Sequence, residues 1–132
     1  MKNVYVAGKF QRKGEVLEIY DKLRDIGHTV SYDWTKHDNI KPYSENPDRA
    51  REYCENEVEA ITESDVFIYL TQDKGTTNKM EYGAALMKAV LQSNITVYAV
   101  GEYNTSSPWF FHPKIKRVES PDKAIADLST GD

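Results

Sequence analysis

The chain has 132 residues, 39% of them hydrophobic and 29% charged, with a formal net charge of −4. This length and balance fit one globular domain spanning residues 1–132. The acidic balance supplies no field to recruit a nucleic-acid polymer, and no apolar run approaches the ~20 residues of a membrane helix.

Cys54 is the single cysteine, so no internal disulfide can form. The opening MKNVYVAGKF lacks the long apolar run and cleavage pattern of a secretory signal. A cytoplasmic protein is the expectation. His28, His37 and His112 are far apart and show no metal-ligand spacing, so neither a metal nor another cofactor is expected.

In chain order, NVYVAG (3–8) is β-rich and ends on glycine, which predicts a strand and a turn. In 15–27, Val16, Ile19, Tyr20, Leu23 and Ile26 recur at helical spacing, with Gly27 as the stop. HTVSYDW (28–34) alternates like a strand, and a polar stretch with Pro42 and Pro47 predicts a long loop. Residues 46–64 read as a helix with Asn46 as cap and Pro47 in its first position. DVFIYL (65–70) reads as a fully buried strand. A helix to about Gln92 follows, then a buried strand at 95–100, a short strand at 115–118 and a capped helix at 120–128.

This alternation predicts an α/β fold: a flavodoxin-like or Rossmann-like, doubly wound parallel sheet of five strands in the order 2-1-3-4-5. Such sheets bind ligands beyond the carboxyl ends of their strands. That rule selects the loops 8–14, 33–46, 71–78 and 101–113.

The first of these, GKFQRKG, holds Lys9, Arg12 and Lys13 between Gly8 and Gly14 ahead of a helix. Cations, backbone N–H groups and a helix start suit an anion, although the spacing matches neither a dinucleotide fingerprint nor a P-loop. In the third loop, Thr76, Thr77 and Asn78 supply donors at a helix start. Asn78 and Glu81 have capping-box spacing, with the glutamate reaching back to the cap N–H. Glu81 in a first helical turn would also be favoured as a charged carboxylate, which is what a nucleophile must be.

On helix 46–64 the apolar stripe runs Ala50, Cys54, Val58, Ile61, and Glu57 lies on that side. A carboxylate there either snorkels to water or serves a pocket. Tyr5 faces the opposite side of the first strand from Val4 and Val6, as a core tyrosine or a site residue. Trp34, Trp109, Phe110 and Phe111 fall in loops, where they could stack a nucleobase or pack a dimer.

Three segments, in order, resemble the nucleoside 2-deoxyribosyltransferase family, closest to its branch of 2′-deoxynucleoside 5′-phosphate N-hydrolases. VYVAG resembles the family's first strand, and ENEVEAITESDVFI its helix-to-strand segment, with Glu57 eight residues before Asp65. MEYGAAL resembles the helix start that carries the family's catalytic glutamate. The likeness covers residues 3–100. It implies Glu81 as nucleophile, Glu57 as second carboxylate and Tyr5 as the residue orienting the nucleophile. The family usually has aspartate at the Glu57 position, so this acid reaches a methylene further. The resemblance also implies a small-molecule nucleoside or nucleotide as partner. Gly8, Lys9, Phe10, Arg12, Trp34, Gly75, Thr76 and Thr77 are the expected substrate-binding residues.

The implied reaction is cleavage of an N-glycosidic bond in a (2′-deoxy)nucleoside or its 5′-monophosphate, by hydrolysis or by transfer to another base. Two alternatives remain open on sequence: an NAD-type glycohydrolase, and a non-catalytic nucleotide-binding or sensing module on the same scaffold. Family analogy implies a homodimer or higher homo-oligomer, with Trp109–Phe111 as the candidate contact.

Overall fold

Near-continuous apolar runs become the inner strands. A computed structural model describes residues 1–130. Strand β1 (Asn3–Ala7), β3 (Val66–Leu70) and β4 (Thr96–Val100) are buried almost throughout, as strands covered on both faces must be. The half-exposed β2 (Thr29–Val30) and β5 (Ile115–Val118) close the edges. All neighbours pair in parallel, in the order β2-β1-β3-β4-β5. The expected doubly wound five-stranded sheet is therefore what the chain forms.

Four helices cover the sheet. Helix α1 (Lys13–Asp25) packs with α4 (Pro121–Thr130). Helix α2 (Pro47–Thr62) packs with α3 (Thr77–Gln92). Lys88 of α3 ties that second pair together. Its ammonium donates to the carbonyls of Ile61, Thr62 and Ser64 at 3.4, 2.6 and 2.7 Å, satisfying groups that the end of α2 leaves unpaired. Among the described residues no helix is long and apolar enough to cross a membrane.

Several expectations need correction. The second strand is only Thr29–Val30 rather than 28–34, because Asp33 accepts from the backbone N–H of Thr35 at 3.0 Å and starts a 3-10 turn at Trp34–Lys36. Asn46 does precede α2, yet its side chain does not cap it. The amide nitrogen donates instead to the carbonyl of Ile40 at 2.9 Å. The inward side of α2 is also rotated from the predicted stripe. Cys54 is exposed and Val58 is 55% exposed, whereas Tyr53, Glu57, Ala60 and Ile61 turn inward.

Candidate active site

Tyr5 is in the middle of β1, and alternation turns it toward the α2–α3 side of the sheet. Its ring stacks on Phe67, the residue opposite it on β3, with centroids 5.4 Å apart. Its hydroxyl donates to Oε2 of Glu81. Glu81 is the fifth residue of α3 and 9% exposed. The helix begins at Thr77, so Glu81 is not in its first turn, and no side chain caps its N-terminus. Asn78 donates its amide N–H to Gln72 Oε1 at 3.3 Å. The capping box allowed by the sequence does not form, and the glutamate is turned into the sheet instead.

Burial raises the pKa of Glu81, and the charge on Glu57 adds to the effect. Against the hydrogen bond from Tyr5, which favours the charged form, the value reaches about 8. The first-turn dipole argument for an ionised carboxylate is thus overturned by desolvation. Burial raises Glu57 as well, to about 7. Two such groups titrate as a unit and hold one proton between them near neutrality. Tyr5 is pushed far above the ordinary phenol range, by burial first and then by the charges of Glu81 and Glu57, so it remains a donor.

The loop after β2 is folded against α2, the helix that carries Glu57. The Tyr32 hydroxyl lies 2.5 Å from Nε2 of His37, and the His37 ring stacks on Tyr53 at 3.7 Å. Tyr32 also feels the charge of Glu57. Burial lowers the pKa of His37, which keeps its ring neutral at pH 7. None of Tyr32, His37 and Tyr53 stood out in the sequence. The partial signal was the inward period of α2, which the misplaced stripe obscured.

The fold has a solved counterpart. The chain is similar to the CMP N-glycosidase BcmB of Clostridium botulinum, with a TM-score of 0.66 at 15% identity, over 99% of this chain and 100% of that one. No family model matches the chain, and no curated protein matches it in sequence. At this identity the likeness concerns the fold, and it bears out the doubly wound α/β arrangement.

The remaining expected site residues fall into separate groups. Gly8 is close-packed: an added Cβ would lie 3.2 Å from Leu70 Cδ1. Lys9 and Phe10 are exposed, and the Lys13 ammonium lies over the Phe10 ring. Arg12 is not a free cation. Its guanidinium forks onto Glu15 at 2.9 and 3.0 Å and donates to the Thr71 carbonyl at 3.3 Å. Lys9 and Arg12, with Thr71, Gln72, Gly101 and Tyr103, line a cavity of about 310 Å³ beside the carboxyl ends of β3 and β4. Glu57, Glu81 and Tyr5 do not line that cavity.

Gly75 has a φ of 120°, a conformation that side-chain-bearing residues rarely adopt, so the turn into α3 calls for glycine, and a Cβ there would also displace the Gln72 amide. Thr76 precedes α3 and Thr77 is its first residue, both exposed. Trp34 is not the exposed stacking platform its loop position implied. It is 7% exposed, with its indole N–H donating to the Val6 carbonyl at 2.6 Å. The aromatic run divides likewise: Trp109 and Phe111 are exposed, whereas Phe110 packs into the core.

Proposed function

We propose that this chain cleaves the N-glycosidic bond of a nucleoside or its 5′-monophosphate. The observation that carries the reading is Tyr5 donating to the buried Glu81 beside a second raised carboxyl, Glu57, one turn into the helix that leaves β3. A shared proton and an oriented carboxylate are what two-step glycoside cleavage requires. Catalysis of this bond by the structural neighbour named above supports the reading.

In the first step Glu81 attacks C1′. The C1′–N bond breaks, its electron pair passes to the base nitrogen, and Glu57 delivers the proton. Attack needs the proton on Glu57 and the charge on Glu81. Burial opposes that arrangement in the free protein by raising Glu81 above Glu57, whereas the hydrogen bond from Tyr5 and the positive charge that develops at C1′ favour it. In the second step water attacks C1′, gives its proton to Glu57 and releases Glu81 as a carboxylate. A second base in place of water gives transfer. Lys9, the hydroxyls of Thr76 and Thr77 and the N-terminal amides of α3 are the groups suited to a 5′-phosphate, since Glu15 already neutralises Arg12.

The test is a panel of ribo- and deoxyribonucleosides and their 5′-monophosphates, with free base followed by chromatography. Base release by the wild type that disappears in Glu81→Ala is expected. No release from any substrate, or full activity in Glu81→Ala, would reject the proposal.

A further inference from the structure

Strand β3 presents Phe67 and Tyr69 to the same sheet face as Tyr5. Tyr69 is two residues nearer the carboxyl edge, opposite Ala7. Its ring is fully buried, packed on Tyr82 of α3 and on Phe110 with centroids 5.6 and 6.1 Å away. Its hydroxyl is also buried, yet it finds no hydrogen-bond partner among the described residues. The other core tyrosines differ. Tyr82 donates to the Trp109 carbonyl at 2.7 Å, Tyr98 to Asp127 at 2.6 Å, and Tyr20 to the Tyr32 carbonyl at 3.3 Å. A buried phenol without a partner is a burden to the fold that phenylalanine, of the same shape, would not carry. The charge of Glu81 acts on this hydroxyl, which burial and that charge together push up to about 12, so it is a donor at neutral pH.

The chemistry narrows what the hydroxyl can serve. Three atoms adjoin C1′: the base nitrogen, the ring oxygen and C2′. Glu57, approaching from α2, serves the base. A donor aimed at the ring oxygen would oppose the positive charge that develops there. The substituent on C2′ remains for a donor that lies on the sheet face of Tyr5, two residues nearer the carboxyl edge and packed on Tyr82 of the helix that carries Glu81.

We propose that the Tyr69 hydroxyl binds the 2′-hydroxyl of the substrate sugar and makes this site selective for ribose over 2′-deoxyribose. The inference rests on the N-glycosidic reading above. The hydroxyl is covered in the free protein, so contact requires a side-chain movement of the kind common on ligand binding.

The experiment compares wild type with Tyr69→Phe on CMP and dCMP, alongside the Tm of each free protein. The wild type is expected to favour CMP in kcat/KM by tenfold or more. In Tyr69→Phe the value for CMP should fall at least tenfold and that for dCMP less than threefold, with an unchanged or higher Tm. Equal losses on both sugars, an unchanged preference, or a Tm lowered by several degrees would overturn the inference, the last because it would reveal a structural partner. If the wild type releases no base at all, the N-glycosidic reading fails separately. Thermal shifts with CMP and dCMP then decide: a CMP-selective shift lost in Tyr69→Phe upholds the role of Tyr69, and equal shifts in the two proteins reject it.

Discussion

Replacing Glu81 by Gln should stabilise the protein by an amount that grows from about pH 4.5 and levels off near pH 8. In the folded state burial and the neighbouring Glu57 lift Glu81 from an ordinary 4.5 to about 8. The folded protein therefore binds more protons than the unfolded chain between about pH 4.5 and 8, and wild-type stability falls as pH rises through that window. A lift of this size sets a ceiling of roughly 5 kcal/mol on the cost of charging Glu81. Glu57 stays half-buried and shares part of that cost, so a gain of about 3 kcal/mol above pH 8 is the working figure. For a chain of this length that is on the order of 10 °C in Tm. Glutamine keeps the shape and can still accept from Tyr5. Differential scanning fluorimetry of both proteins from pH 4 to 9 should show curves that coincide near pH 4.5, diverge steadily from there to about pH 8 and keep a constant separation above it. A variant less stable than wild type at pH 9, or parallel curves at every pH, would refute the assignment of a raised, desolvated carboxyl.

Tyr5→Phe removes the donor to Glu81 but keeps the stack on Phe67. Activity should fall about 10–100-fold, on the scale of one hydrogen bond to a charged group, and the acid limb of the pH–rate profile should move to higher pH. Glu57→Gln should lower base release by roughly 10²–10⁴-fold as a lost general acid. It should also lower the pKa of Glu81 by removing a neighbouring charge, which carbon-13 NMR of labelled glutamate can read. Lys88→Met leaves the carbonyls of Ile61, Thr62 and Ser64 without their donor, and should cost about 1–3 kcal/mol in urea unfolding. Gly75→Ala forces a Cβ into Gln72 at a positive φ, and should cost at least about 1 kcal/mol of stability while raising KM for phosphorylated substrates.

The sheet was legible because its signals are redundant. Val66–Leu70 and Thr96–Val100 are apolar throughout, which only a strand covered on both faces tolerates. The edge strand β2 was overextended since Ser31 and Tyr32 continue its alternation, while the turn that ends it depends on one local bond from Asp33. The meeting of Tyr5 with Glu81 links residues 76 apart and is set by packing of α3 on the sheet. The family likeness implied it, whereas local spacing equally fitted a cap. Glu57 was rightly seen to face inward, yet for a misplaced stripe: Cys54 and Val58 suit a core by type, but α2 buries Ala60 and Ile61 and half-buries Tyr53 instead. Tyr69 was visible only as one more apolar residue in a buried strand. The parity it shares with Phe67 was the available signal, and its unpaired hydroxyl is a property of the folded surroundings.

Trapping of the glycosyl-enzyme tests the central claim most directly. A nucleoside 5′-monophosphate bearing fluorine at C2′ slows both steps by destabilising the oxocarbenium-like state, so the intermediate should accumulate. Intact-protein mass spectrometry should show a gain of one sugar-phosphate unit, and peptide mapping should place it on Glu81. Release of base from the natural substrate without such an adduct, or an adduct on any other residue, would contradict the account.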